Sequence, residues 1–318
     1  TSICDRILEL RDEGAALSKI YRTNKDNRVI GIPLPLKFDN RKRSIAPEIR
    51  NNLSIPANSI VFITVGRASK YISRNGISFI DAAIAILREV RESHIIAIGP
   101  SIENDDWRLA CEQSQGRLHA IGEQANLEDY FSAADIYLEG FPFGSLTCLL
   151  EAGRCGLPCV RAPKIIPSIY RSTGKALENY PTPCDVDMYI SFSRDLAIMP
   201  KKNREKLGKS LSYEIECQHG SGWISNISEL MYPIHHRIQN LEPESQNLKF
   251  KDAQLFRWNN GESLVFAAQR AQECSLPFSR ISCLLFVITC VMRNPSGNIM
   301  RQILKVLLRR KSIYTYIS

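Results

Sequence analysis

The sequence contains no apolar run long enough to cross a membrane as a helix. The longest run covers residues 281–292, whereas a spanning helix needs about 20 apolar residues. The residues after Thr1 also lack the apolar core and small-residue cleavage site of a secretory signal, and Thr1 is not an initiating methionine. We therefore expect a cytoplasmic protein, peripheral at most to the inner face of the membrane, whose sequence begins inside a longer chain.

Residue spacings typical of metal sites and of nucleic-acid-binding modules are also missing. The five histidines include one adjacent pair, His235 and His236, with no cysteine or histidine at ligand spacing, which predicts that no metal is bound. Zinc-finger spacings, RNA-binding aromatic signatures and basic heptads are absent, so we expect no nucleic-acid partner. The formal net charge of +8 then indicates a phosphate-bearing ligand or an anionic membrane surface.

The composition is that of a globular protein with a core, because 44% of the residues are hydrophobic and 23% are charged. The ten cysteines lie singly in apolar runs, which is typical of free thiols in a reducing compartment. From residue 59 onward, short apolar runs alternate with longer amphipathic ones. Strands and helices alternate in this way around a parallel sheet.

The alternation is clearest over residues 60–98. A β-branched strand at residues 60–65 is followed by a helical pattern over residues 77–90 and a second strand at 94–98. Further strands are predicted at residues 118–121, 135–138 and 158–160, and further helices at 105–113, 127–133 and 145–153. We therefore predict an α/β fold with a doubly wound, Rossmann-like parallel sheet, whose ligands bind beyond the carboxyl ends of the strands.

The chain around this sheet divides into smaller parts. Residues 1–31 offer one helix, over residues 2–21, and are a remnant of an N-terminal region, whereas residues 32–58 have the pattern of an extended linker. The sheet domain covers residues 59–232, and residues 233–318 form a helical, basic tail. The cationic, amphipathic end of this tail predicts either a membrane-surface anchor or a helix packed on the domain.

The strongest motif is a strand-to-helix turn at residues 139–151, Glu-Gly-Phe-Pro-Phe-Gly-Ser-Leu-Thr-Cys-Leu-Leu-Glu. Amides at a helix N-terminus beside glycine form a site for pyrophosphate. In this turn the amides belong to Gly144, Ser145, Leu146 and Thr147. Glu151, on the same helix, can accept hydrogen bonds from the vicinal hydroxyls of a ribose. The local pattern equally fits a structural turn capped by Ser145, with Glu151 in solvent.

Several motifs in order along residues 29–232 resemble one family. They are Val65-Gly-Arg67, Ile96-Ala-Ile-Gly99, Ala120-Ile-Gly122, Tyr130-Phe-Ser-Ala-Ala-Asp135 and the segment 139–160. Together they are similar to the C-terminal, nucleotide-sugar-binding domain of group-1 glycosyltransferases, which have the two-domain GT-B fold. The resemblance implies a nucleoside diphosphate sugar as the donor, used without a metal ion or another cofactor.

The resemblance also implies roles for residues on the rim at the carboxyl ends of the strands. The rim glycines implied to meet the donor are Gly66 and Gly122. Arg67 matches the family's phosphate-binding arginine, which offers planar, permanently charged donors. A second cation follows it in that family, and here Lys70, which we favour, competes with Arg74. His119 either meets the base or is a hydrogen-bonded strand-end histidine.

The loop departs from the retaining members of the family at one position. Those members carry a pair of glutamates, and Phe143 stands where the first of the pair would precede Glu151. The sequence Glu139-Gly-Phe-Pro-Phe-Gly is instead similar to the loop of bacterial protein N-glucosyltransferases and O-linked GlcNAc transferases, which invert the anomeric centre. The stereochemical outcome therefore stays open, and Glu139 either contacts sugar hydroxyls or caps the strand end.

The function we expect is transfer of a hexose or N-acetylhexosamine from the nucleotide sugar to a glycan, lipid-linked or protein acceptor. In this reaction Arg67, Lys70 and the amides of residues 144–147 stabilise the departing diphosphate. Because the family's acceptor domain is not in this sequence, the alternative is a non-catalytic nucleotide-sugar-binding or partner subunit.

Overall fold

The computed structural model describes residues 7–10, 15, 29–36, 46–223 and 225. The tail predicted over residues 233–318 lies outside them. The helix predicted over residues 2–21 is wrong at Ile7–Glu9, which form strand β1 and pair in parallel with β2 (Val29–Gly31). The partner strand comes from a distant part of the sequence, so this pairing leaves no trace in the local periodicity.

The centre of the described chain is a five-stranded sheet in which all neighbouring strands run parallel. Its strands are β3 (Ile60–Val65), β4 (Ser93–Ile98), β5 (Leu118–Ala120), β6 (Ile136–Leu138) and β7 (Cys159–Val160). The order across the sheet is β5-β4-β3-β6-β7. This order confirms the predicted doubly wound, Rossmann-like sheet, and it places the topological switch point between β3 and β6.

The described α-helices pack on the two faces of this sheet. They are α1 (Ala46–Asn52), α2 (Phe79–Glu89), α3 (Asp105–Gln113), α4 (Leu127–Ala133), α5 (Leu146–Arg154), α6 (Val186–Ile198) and α7 (Lys201–His219). Helices α1, α4, α5 and α7 share one face, and α2, α3 and α6 share the other. Among these helices, none has both the length and the apolar character needed to cross a membrane.

Strand β3 contributes to both layers of the core because its side chains alternate between the faces. Val61, Ile63 and Val65 join the aliphatic cluster under α1, α4, α5 and α7. The opposite face is filled by aromatic rings whose neighbouring centroids lie 5.0–5.4 Å apart. These buried rings belong to Tyr71, Phe79, Trp107, Phe141 and Tyr189. The sheet is therefore covered on both sides, as its continuous apolar strands predicted.

Residues 46–52, which we expected inside an extended linker, form helix α1. Pro47 lies in the first turn, where its fixed φ suits a helix start. Arg50 of α1 forms an ion pair with Asp135 at 2.9 Å, and Arg204 of α7 reaches the same carboxylate at 3.4 Å. Asp135 directly precedes β6, so this network holds both helices to the amino end of the sheet, opposite the predicted ligand rim.

Candidate functional site

Three glycines follow the carboxyl ends of β3, β4 and β5, and backbone hydrogen bonds connect them. The Gly66 amide donates to the carbonyl of Ile98 at 3.0 Å, and the Gly99 amide donates to that of Gly122 at 2.8 Å. Gly99 has a φ of +106°, and a Cβ at this position would lie 2.1 Å from the carbonyl oxygen of Gly66. Gly66 and Gly122 thus lie on the rim, whereas their contact with a donor stays a prediction.

A short 3₁₀ turn, Ala68–Tyr71, follows β3 and carries Lys70, and we call it the cation turn. Arg67 precedes the turn with an exposed side chain that makes no hydrogen bond or ion pair with any described residue. Lys70 reaches the loop of residues 139–145 before α5, the predicted phosphate loop, because its Nζ lies 3.4 Å from the carbonyl oxygen of Gly144. The amide of Phe143 also donates to the carbonyl of Lys70 at 3.3 Å. Two segments far apart in sequence are therefore adjacent at the switch point.

Arg74, the other candidate for the second cation, lies at the same loop but in a different environment. It is 9% exposed, and its guanidinium carbon lies 5.6 Å from the centre of the Phe143 ring, a distance typical of a cation–π contact. The Phe143 ring also packs edge-on against Tyr170, with centroids 5.0 Å apart. The structure thus brings both Lys70 and Arg74 to the loop, and our preference for Lys70 stays a prediction.

Tyr71 anchors the cation turn between β3 and β6. Its hydroxyl lies 2.9 Å from Thr64 Oγ1, and burial raises its pKa well above the ordinary range. Gly140 makes room for the ring, because a Cβ there would lie 2.5 Å from a ring carbon of Tyr71. One buried side chain therefore sets the spacing between the turn that carries Lys70 and the loop that leads into α5.

The N-terminus of α5 presents unbonded amides at this rim. Ser145 is the N-cap residue, but its hydroxyl bonds to the sulfur of Cys148 at 3.1 Å instead of capping an amide. Among the described residues, no acceptor is found for the amides of Ser145, Leu146, Thr147 and Cys148. The Gly144 amide differs from them, because it donates to the carbonyl of Tyr170 at 2.6 Å. Gly144 therefore offers a ligand no free amide, contrary to our expectation.

Glu151 lies one turn beyond Thr147 on the same side of α5. Its half-buried carboxylate accepts no hydrogen bond from a described residue. Burial raises the pKa of Glu151, the nearby Arg154 opposes this increase, and Glu128 adds to it. Arg154 and Glu128 form an ion pair with each other. An unbonded carboxylate at this place can accept from the two hydroxyls of a ribose, and this role stays a prediction.

Glu139 follows β6 and lies entirely beneath the rim, with an exposure of 0%. Its Oε2 accepts a hydrogen bond from the Ala162 amide at 2.8 Å, and its Oε1 accepts one from the Ser172 amide at 2.7 Å. The hydroxyl of Tyr189 donates to the Glu139 carbonyl at 3.1 Å. Of the two roles predicted for Glu139, these contacts resemble a strand-end cap more closely than a contact to a sugar.

Two histidines of the described chain, His119 and His219, form hydrogen-bond contacts inside the fold. His119 pairs in register with Ile96, and its Nε2 lies 3.0 Å from Nδ1 of His94 on β4. This contact fits the hydrogen-bonded strand histidine that we weighed against a contact to the base. His219 ends α7 and contacts the carbonyl oxygen of Leu34 at 2.8 Å through Nδ1.

The segment between β7 and α6 is a part of the site that the sequence analysis missed. It contains two 3₁₀ helices, Ser168–Tyr170 and Lys175–Leu177. Through main-chain atoms, it binds the Gly144 amide at Tyr170 and the Glu139 carboxylate at Ser172. Main-chain contacts need no particular residue type, so no sequence signal could have identified them.

Solved structures with a similar fold are glycosyltransferases. WaaG, a glycosyltransferase involved in lipopolysaccharide biosynthesis, matches with a TM-score of 0.54 and 16% identity, over 71% of this chain and 62% of its own. HepE from Anabaena, in complex with UDP, matches with a TM-score of 0.53 and 15% identity, over 71% of this chain and 63% of its own. A glycosyltransferase from Rickettsia africae matches with a TM-score of 0.53 and 9% identity, over 72% of this chain and 62% of its own. The described five-stranded sheet has the Rossmann-like fold of one half of the two-domain GT-B architecture.

This likeness confirms the predicted fold and leaves the residue roles as predictions. No family sequence profile and no curated protein sequence matches the chain. The chain covers 62–63% of the length of the three structures compared, less than two thirds of each. The likeness of the Phe-Pro-Phe-Gly loop to that of inverting transferases therefore rests on sequence alone.

Proposed function

We propose that this chain binds a nucleoside diphosphate sugar at the switch-point rim and is the donor-binding part of a glycosyltransferase. The observation that carries the proposal is the contact between the cation turn and the phosphate loop. The ammonium group of Lys70 contacts the carbonyl oxygen of Gly144, and the carbonyl of Lys70 accepts a hydrogen bond from the amide of Phe143. Both contacts lie directly before the unbonded amides of Ser145 and Leu146. Positive charge and unbonded N–H groups thus meet where open α/β sheets bind ligands.

The chemistry of this rim suits a departing diphosphate. The positive end of the α5 dipole and its unbonded amides attract phosphate oxygens, and Arg67 adds an exposed guanidinium. As the glycosidic bond to the donor breaks, negative charge grows on the diphosphate, so these groups stabilise the transition state more than the ground state. In this proposal Arg67, Lys70 and the amides supply that charge stabilisation, without a metal ion or further cofactor.

Two further features support a nucleotide sugar rather than a simple phosphate. Glu151 lies on the helix that supplies the amides, where it can hold the ribose of a bound nucleotide. HepE, which shares the fold, was solved with UDP and also with UDP-glucose, the latter at a TM-score of 0.51 and 15% identity, over 71% of this chain and 64% of its own. UDP and UDP-glucose are therefore the first probes to use, followed by GDP and ADP compounds.

Isothermal titration calorimetry with UDP tests the proposal. We expect Arg67→Ala to weaken binding by about 10-fold to 100-fold, as expected when a charge-assisted hydrogen bond is lost. Arg88→Ala is the matched control, because Arg88 is also exposed but lies in the last turn of α2, and it should bind like the parent. If none of UDP, GDP and ADP binds at millimolar concentration, or if both variants bind equally well, the proposal is wrong.

A second candidate is a nucleotide-sugar-binding subunit that does not transfer the sugar. The contacts that support the proposal, between Lys70 and the loop before α5, concern binding of the donor and fit this candidate as well. Release of UDP from UDP-glucose, measured with glycan, lipid-linked and protein acceptors, separates the two candidates. Binding without release supports the subunit, and acceptor-dependent release supports the transferase.

A further inference from the structure

Glu139 is a buried carboxylate at the base of the phosphate loop, and the donor chemistry proposed above does not use it. Both of its oxygens accept hydrogen bonds from main-chain amides, those of Ala162 and Ser172. Bonds of this kind to an ionised group are stronger than neutral ones. Its side chain has an exposure of 0%, so a sugar on the rim cannot reach it without displacing the loop.

The carboxylate also determines the path of the loop above it. A Cβ on Gly144 would lie 2.2 Å from Glu139 Oε1, so the loop passes directly over this oxygen. The Gly144 amide then donates to Tyr170, close in sequence to Ser172. Two neighbouring hydrogen bonds, from the Ser172 amide to Glu139 and from the Gly144 amide to Tyr170, therefore join the phosphate loop to the segment after β7.

The carbonyl of Ser172 also accepts a hydrogen bond, from the side chain of Arg161. The buried side chain of Arg161 donates from Nη2 to the carbonyl of Ser172 at 2.8 Å and from Nη1 to the carbonyl of Leu177 at 2.9 Å. Glu139 binds the amide of the same residue. These hydrogen bonds fix the position of the segment after β7, and the phosphate loop packs against this segment.

We propose that Glu139 is a positioning residue, whose buried carboxylate joins the phosphate loop to the segment after β7 and so fixes the unbonded amides of α5. The proposal rests on the donor-binding function stated above. It assigns Glu139 no contact with the sugar. Loss of the carboxylate should move the amides that bind the diphosphate and leave the nucleoside contacts, which lie farther along α5, in place.

Glu139→Gln in the full chain tests this assignment, because glutamine keeps the length of the side chain and loses one of the two acceptors. We expect its affinities for UDP and UDP-glucose, measured by calorimetry, to fall by the same factor, about 10-fold. Binding of uridine, followed by saturation-transfer NMR, should not change because uridine has no phosphate. In the ligand-free protein, hydrogen exchange at the Ser172 and Gly144 amides should become at least about 10-fold faster.

Two further variants keep the test decisive if Glu139→Gln does not fold. Gly144→Ala crowds Oε1 from the other side and should give the same pattern of affinities. Tyr189→Phe removes a buried hydrogen bond to the Glu139 carbonyl but leaves the carboxylate contacts intact, so its UDP affinity should equal that of the parent.

The outcomes separate this proposal from the proposed function. Lost affinity for UDP-glucose with unchanged affinity for UDP would place the carboxylate on the sugar and overturn the positioning role. Unchanged exchange at Ser172 and Gly144 would overturn it too. If the parent binds no nucleotide, the donor function is wrong, and the exchange rates still show whether Glu139 positions the loop.

Discussion

Acidification should destabilise this fold through the histidines of β4 and β5. Nδ1 of His94 and Nε2 of His119 lie 3.0 Å apart, so one of the two nitrogens carries a hydrogen and the other accepts it. Protonation of both nitrogens would place two hydrogens between the rings, where they repel each other. Burial, with a smaller contribution from His94, lowers the pKa of His119 from its usual 6.5 to about 4. Burial also lowers the pKa of His94, and Arg117 and Arg50 contribute in the same direction.

The size and the sign of the effect follow from the pKa of His119. Because the pKa of His119 is lower in the folded protein than in the unfolded protein, the unfolded protein takes up a proton first as the pH falls. The free energy of unfolding therefore has its full value above pH 6.5 and decreases as the pH falls from 6.5 toward 4. At about 1.4 kcal/mol per pH unit, the upper limit is about 3.5 kcal/mol. Since His119 is partly exposed to solvent, we expect a loss of about 1–2 kcal/mol.

Urea unfolding of the parent and of His119→Gln, followed by circular dichroism at pH 7 and pH 4.5, measures this loss. Carboxylates titrate in the same way in both proteins, so their contribution cancels in the difference between the two. The parent should lose about 1–2 kcal/mol more than the variant on acidification. Equal losses, or a larger loss in the variant, would refute the reasoning.

Three other predictions follow from single features of the described chain and of its tail. Gly99→Ala should lower the free energy of unfolding by about 2–4 kcal/mol in urea titrations, because its Cβ would meet the Gly66 carbonyl at a positive φ. Glu151→Gln should weaken binding of UDP, whereas binding of inorganic pyrophosphate, compared by calorimetry, should not change. If the basic tail anchors the protein to membranes, deletion of residues 295–318 should abolish co-sedimentation with anionic vesicles, and unchanged co-sedimentation would exclude the anchor.

The sheet could be predicted from the sequence because each of its elements has its own local pattern. The bounds of α3 and α4 agree with the predicted 105–113 and 127–133, since both helices carry an amphipathic period of their own. Helix α7 was missed because its packing depends on distant residues. A Cβ on Gly208 would lie 1.8 Å from the carbonyl oxygen of Gly156, so α7 passes very close to the main chain at Gly156. Nothing near Gly208 in the sequence indicates this close approach of α7 to Gly156.

The candidate site was predicted in part for a similar reason. The turn at α5 and the cation Lys70 have recognisable residue types, and the structure places them together. The use of the Gly144 amide and the burial of Glu139 depend instead on main-chain atoms of residues 170–172. Every residue has a main-chain acceptor and every residue except proline has a donor, so the sequence could not show that this segment would provide them.

The central claim is that the first amides of α5 hold the diphosphate of a nucleotide sugar. Titration of the ¹⁵N-labelled protein with UDP, followed at the amide resonances of Ser145, Leu146 and Thr147, tests it most directly. We predict that these three resonances move downfield in a saturable manner and by more than those of α2, as N–H groups do when they begin to donate to phosphate. Saturable binding of UDP that leaves all three in place would contradict the claim.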